Sequence, residues 1–109
     1  MMDIYCLQGQ REKEFIALAD RLKTNPKKSS YDFLDNGFTN YYEPQLYFCK
    51  RLKGRYPVSL NISIDKQTME ISSIEILDDE FGQPHFCDDD IFKQIKDTID
   101  GLKKKGLFV

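Results

Sequence analysis

Apolar and polar positions change period along this chain, and the changes mark its elements. Phe15, Leu18, Ala19 and Leu22 recur at helical spacing, with Arg11, Glu12, Lys13, Glu14, Arg21 and Lys23 between them. This pattern predicts an amphipathic helix over about residues 10–24. Asn25-Pro26 is expected to end it, because a residue before proline avoids the helical region. Ahead of it, residues 3–7 read either as a short strand or as an extra helical turn. From Ser30 the period shortens. Tyr31, Phe33, Phe38, Tyr41 and Tyr42 flank Asn36-Gly37, a dipeptide suited to a type I′ hairpin turn. Leu46 to Leu52 is a second strand candidate, followed by a turn at Lys53-Gly54.

The cleanest strand comes next. Val58, Leu60, Ile62 and Ile64 alternate strictly with Ser59, Asn61, Ser63 and Asp65, so one face is buried and the other wet. After a turn at Asp65 to Thr68, Met69 to Leu77 returns as a strand. A final helical stripe runs through Ile91, Ile95, Ile99 and Leu102. Asp88, Asp89 and Asp90 stand at its start and Lys103, Lys104 and Lys105 at its end, matching the helix macrodipole. One of those aspartates is the expected N-cap, and Gly106 the expected stop. Gly101 weakens the last turns by about 1 kcal/mol relative to alanine. The pattern as a whole predicts an α+β fold in one domain, residues 1–109. An antiparallel meander of three to five strands carries an N-terminal and a C-terminal helix on one face, in two layers.

Within Met69 to Leu77 the alternation breaks. Met69 and Ile71 share one face, and Ile74 and Ile76 fall on the other. Two readings stay open. A β-bulge at Ser72-Ser73 would return both isoleucines to the core. Without a bulge, Ile74 and Ile76 form an apolar strip on the outer face beside Tyr47 and Cys49, a candidate surface for a protein partner or for self-association.

Composition narrows the class. The chain has 109 residues, of which 40% are hydrophobic and 31% charged, the balance of a globular domain and not of a disordered one. Eight Phe or Tyr fall between Tyr31 and Tyr56, where they are expected mainly as core; one of the adjacent Tyr41 and Tyr42 faces out. The net charge is -2, which argues against a nucleic-acid binder without excluding a local patch. Three cysteines, Cys6, Cys49 and Cys87, form no C-x-x-C pair and no even framework. With no signal-like or membrane-length apolar run, they lead us to expect a cytoplasmic protein with reduced thiols and no membrane association. The Lys-, Ile-, Asn- and Asp-heavy usage without tryptophan suits an AT-rich bacterial or phage genome.

Charge is unevenly placed. Residues 45–60 hold Lys50, Arg51, Lys53 and Arg55 and no acid. Four cations around a turn, with Tyr47, Phe48 and Tyr56 nearby, are the expected contacts if the domain grips a nucleic acid. The competing reading is a solvated hairpin whose charges keep a sheet edge from pairing with other chains. Element order here is similar to that of double-stranded-RNA-binding domains. Those domains open their second helix with a lysine-rich run, whereas this chain has Asp88-Asp89-Asp90, which would repel phosphate. Residues 75–90 carry Asp78, Asp79, Glu80, Asp88, Asp89 and Asp90, a candidate acidic docking surface for a basic partner. With His85 and Cys87 they match no calcium loop and supply too few soft ligands for zinc, so no metal or cofactor is expected. His85 and Cys87 are the minimum of a Cys–His pair, without an orienting group or an oxyanion donor. No phosphate-binding loop, dinucleotide fingerprint or nucleophile elbow is present. The expectation is therefore a non-enzymatic protein-interaction or regulatory module, with nucleic-acid contact at the hairpin as the alternative.

Overall fold

In the computed structural model, residues 3–5, 11–54, 57–85 and 87–109 are described, with backbone only for residues 3–5 and 42. The elements are β1 (Asp3–Tyr5), α1 (Glu12–Arg21), α2 (Ser30–Leu34), β2 (Thr39–Tyr42), β3 (Gln45–Leu52), β4 (Val58–Asp65), β5 (Ile71–Asp78) and α3 (Asp89–Lys104). The sheet has the strand order β1-β5-β4-β3-β2. Strands β2 to β5 form the expected antiparallel meander. Residues 3–5 are strand, paired parallel to β5 through Ile4↔Ile74; residues 6 and 7 lie outside the described residues. The fold is α+β, as the alternating pattern and the two amphipathic stripes require. Among the described residues no helix is long and apolar enough to cross a membrane.

β4 organises the interior. Val58, Leu60, Ile62 and Ile64 face inward, opposite Leu52, Phe48 and Leu46 on β3 and Ile76, Ile74 and Ile71 on β5. Against this face pack Phe15, Ala19 and Leu22 from the first helical segment, Phe33 from α2, and Ile91, Ile95, Ile99 and Leu102 from α3. Each fully buried Leu, Ile or Phe among them contributes about 1.5–3 kcal/mol.

The phase of β5 is set by a bulge. Ser63 pairs with Ser73, but Ile64 pairs with Ile71, so Ser72 is an extra residue. Its hydroxyl donates to Gln45 Oε1 at 2.8 Å. The bulge places Ile71 and Ile74, three residues apart, on the same inward face. Ile74 and Ile76 are both 0% exposed. The outward-facing strip considered above is thereby corrected: these two isoleucines belong to the core.

A second correction concerns Asn36-Gly37. Residues 30–34 are helix, not strand. Ser29 N–H donates to Asp32 Oδ2 at 2.8 Å, half of a capping box that starts α2. Asn36 and Gly37 close that helix: the N–H groups of Asn36 and Phe38 both reach Phe33 O, and Gly37 has φ 98°. The turn lets Phe33 and Phe38 meet edge to face at 5.2 Å, with Phe33 also against Phe108 at 5.7 Å. The β2–β3 hairpin instead turns at Glu43-Pro44, through a cis bond.

Helix ends follow local chemistry. Asp88 caps α3 by accepting from Ile91 N–H at 2.9 Å. At its other end Gly106 N–H donates to Lys103 O and Leu107 N–H to Leu102 O, with φ 81° at Gly106: a Schellman stop. α1 ends at Arg21, short of Asn25-Pro26, because Leu22 turns extended and residues 23–25 pair with the C-terminal segment. At its start Arg11 hydrogen-bonds Asp89 and Glu14, and these two bonds, Asp89 foremost, raise the guanidinium pKa above its ordinary value.

Deleting Ser72 tests the bulge. The deletion leaves strict alternation through Ile71, Ser73, Ile74, Glu75 and Ile76, with all three isoleucines inward. We expect cooperative urea unfolding with a stability loss under about 2 kcal/mol, whereas deleting Asn61 from unbulged β4 abolishes folding. Equal damage from both deletions contradicts the assigned phase.

Candidate functional site

The outer face of the sheet is polar. Tyr47, Cys49 and Arg51 on β3 lie opposite Ser63, Asn61 and Ser59 on β4, which in turn meet Ser73, Glu75 and Leu77 on β5. Tyr47 OH donates to Asn61 Oδ1, and Asn61 Nδ2 donates to Ser59 Oγ at 3.0 Å. Ser59 and Asn61 are buried, Tyr47 is half-buried and Cys49 is exposed. Two members of the expected interface, Tyr47 and Cys49, are therefore on the outer face, and the two isoleucines are beneath it.

The acidic residues are dispersed among local tasks. Asp78 Oδ1 accepts from Glu80 N–H at 2.8 Å within the turn after β5. Asp88 caps α3, Asp89 pairs with Arg11, and Asp90 Oδ2 lies 3.4 Å from Gln94 Nε2. Asp79 lies 3.3 Å from Arg51, so the acidic and basic stretches of the sequence meet in space. With the Arg51 side chain 83% exposed, that pair is worth little. Glu80 is exposed. Cys87 is buried and His85 half-buried. Among the described residues no three His, Cys, Asp or Glu side chains come together to hold a metal ion.

The basic hairpin marks the sheet's incomplete edge. β3 pairs with β4 along all eight residues, but β2 covers it only at Gln45 and Tyr47. Three observations fix which backbone groups face that side. Lys66 N–H donates to Pro44 O at 2.9 Å, so the even-numbered positions of β3 bond toward β4. Tyr42↔Gln45 closes a two-residue turn, so Gln45 bonds toward β2. At the far end Lys53 N–H donates to Gln94 Oε1 at 2.7 Å, and Gln94 Nε2 donates back to Lys53 O. The carboxamide of Gln94 thus closes the edge as a neighbouring strand would. Between Tyr47 and Lys53, a span of about 20 Å at strand rise, the N–H and C=O groups of Cys49 and Arg51 point outward. Among the described residues nothing bonds them.

Beside this edge, on the helix side, lies an open groove of about 530 Å³. Phe48 and Lys50 of β3 form one wall, and Thr98, Gly101, Leu102 and Lys105 along or just past α3 the other. Asp35, Asn36, Gly37 and Asp97 complete the rim. Phe48 is half-buried and stacks at 5.0 Å on Phe38. Among the described residues Lys50, Lys105, Asp35 and Asp97 make no ion pair. Gly101 has helical backbone, and a Cβ added there would touch nothing within 4 Å. Neither packing nor φ calls for glycine, yet it costs the helix up to about 1 kcal/mol relative to alanine.

Of the hairpin cations, Lys50 faces this groove, Arg51 faces out beside Asp79, and Lys53 is held through its backbone by Gln94. Arg55 lies outside the described residues. Sequence reading reached β3 but not the α3 wall. The available signal was Gly101, a weak helix former within an otherwise regular stripe.

No family model matches the chain, and no curated protein matches it in sequence. The fold does have a counterpart among solved structures. The crystal structure of a DUF1831 family protein from Lactobacillus plantarum superposes with a TM-score of 0.67 at 11% identity, over 81% of this chain and 84% of that one. At that identity the likeness is one of fold.

Amide exchange tests the edge. Cys49 and Arg51 N–H are expected to exchange on the order of a hundredfold faster than Phe48 and Lys50 N–H, which bond to β4. Equal protection at all four positions contradicts an open edge.

Proposed function

We propose that this protein is a non-catalytic interaction module that holds an extended segment of a partner protein against the free edge of β3. One observation carries the reading: the N–H and C=O groups of Cys49 and Arg51 are left open between two closed ends, beside a groove. An added strand gains main-chain hydrogen bonds there, and the groove receives its alternate side chains. Phe38 already stands beside Phe48, so the open stretch from Cys49 to Leu52 is long enough for about four residues at strand rise.

Charge favours a different chain over a second copy. Pairing this edge with itself about the middle of the gap sets Lys50 against Lys50, and like charges directly opposite are destabilising. It also favours protein over nucleic acid. A phosphate backbone laid along the hairpin would meet Asp79 beside Arg51, and Asp35 and Asp97 in the groove with Lys50. Cys49 is an exposed free thiol, which supports a reducing, cytoplasmic setting for such a module.

Selection from a phage-displayed library of random nine-residue peptides tests this. Enriched peptides are expected to bind the full chain at micromolar Kd, with amide shift changes confined to residues 47–53 and the facing turns of α3. Arg51→Pro removes one edge N–H and is tolerated on an edge strand; it should weaken binding at least tenfold, and Arg51→Ala should weaken it less. Failure to enrich any sequence, or shift changes away from β3, overturns the proposal.

A further inference from the structure

We infer that two lysine runs far apart in the sequence, Lys23 to Lys28 and Lys103 to Lys105, form one basic surface that holds single-stranded nucleic acid, with phosphates on the lysines and a base on Tyr31. This surface uses no backbone group of the β3 edge and does not rest on the strand-addition reading.

The fold gathers these charges. Residues 22–31 and 101–109 hold six lysines and no acid, while the other ten of the sixteen Lys and Arg share the rest of the chain with all eighteen Asp and Glu. Thr24 bridges to Phe108, Asn25 N–H donates to Leu107 O at 2.9 Å, and Val109 N–H donates to Lys23 O at 2.8 Å. Asn25 Nδ2 donates to Gly106 O at 2.8 Å, and the Lys28 stem lies across Gly106, its Cε 3.2 Å from where a Cβ would stand. Lys28 is half-buried and the other five lysines are exposed; among the described residues none of the six makes an ion pair. The negative end of α3 amounts to about half a charge, so it suits Lys103 and Lys104 but leaves most of this surface unanswered. Asp32, the next acid along the chain, accepts from Ser29 N–H. Asp100 on α3, and Asp35 and Asp97 on the groove beside Lys105, bound the surface.

The neighbours of the lysines choose among polyanions. Three residues past Lys28, the Tyr31 side chain is 75% exposed. Cations beside an exposed aromatic ring suit a strand with unpaired bases, whose phosphates meet the ammonium groups while a base stacks on the ring. Of the apolar residues after Lys105, Leu107 and Phe108 are buried and Val109 alone is exposed, too little to enter a bilayer or to centre a protein interface.

The probe is a fluorescein-labelled ten-nucleotide oligouridine, read by anisotropy against the full chain. Its affinity should fall roughly fiftyfold between about 50 and 200 mM NaCl, as about four phosphate contacts to a single strand require. Lys27→Gln combined with Lys104→Gln should weaken binding at least tenfold and flatten the salt dependence. Both positions are exposed, so Tm should stay within a few degrees of the parent value. Tyr31→Ala should weaken binding about fivefold or more, and Tyr31→Phe should restore it, since stacking needs the ring and not the hydroxyl. Lys50→Gln combined with Lys53→Gln, on the β3 hairpin, should leave binding unchanged. Binding without salt dependence, no binding at all, or equal loss from the two lysine pairs overturns the inference. So does tighter binding of a hairpin RNA duplex, a polyglutamate peptide or phosphatidylserine vesicles than of the oligouridine.

Discussion

Every N–H and C=O of a strand has to meet a partner or water, and along β3 the requirement is met within the chain on one side only. The even-numbered residues bond to β4 without interruption. The odd-numbered ones are satisfied at the ends, by β2 at Gln45 and Tyr47 and by the Gln94 carboxamide at Lys53. That leaves Cys49 and Arg51 between two stops. The stops matter as much as the gap. They limit what can be added to a short segment, and a long edge without them would be open to indiscriminate pairing.

This gap is informative because the apolar strip expected on the outer face is absent among the described residues. The bulge at Ser72 draws Ile74 and Ile76 under the helices, and the outer face carries the hydrogen-bonded Tyr47, Asn61 and Ser59 side chains. Among the described residues the exposed large apolar side chains, Ile16, Tyr31, Tyr41, Phe81 and Val109, sit on five different segments. The edge and the groove stand apart from these, since they join open backbone groups, a half-buried ring and an unexplained glycine in one place. Lys50 on that edge opposes self-pairing.

What could be read from the sequence was local. The inward apolar face of β4, the Asp88 cap, the lysines near the end of α3 and the Gly106 stop depend on residues within a turn or two of one another, and all are found in the structure; the expected wet face of β4 is not, since Ser59 and Asn61 are buried too. What could not be read depended on distant partners. The parallel pairing of β1 needs β5 in place. The early end of α1 depends on the C-terminal segment pairing with residues 23–25. Asn36-Gly37 carries hairpin chemistry, but Ser29 and Asp32 start a helix ahead of it and the Phe33–Phe38–Phe108 contacts fix it as that helix's end. The phase of β5 stayed open because a bulge is a relation between two strands, and the hydrophobic pattern of one is compatible with either outcome. The candidate site divides the same way: the cations on β3 stood out in the sequence, while the wall contributed by α3 is a matter of packing.

The most direct measurement is isotope-filtered NMR on the full chain bound to a selected peptide. In an antiparallel addition, Lys50 occupies a non-hydrogen-bonded position whose Hα faces the new strand across a Cα separation of about 4.5 Å. The account predicts an intermolecular Hα–Hα contact at Lys50, together with contacts from a peptide side chain to the Phe48 ring. Intermolecular contacts to Ser63 and Ser73 on the outer face, with none at Lys50, would contradict it.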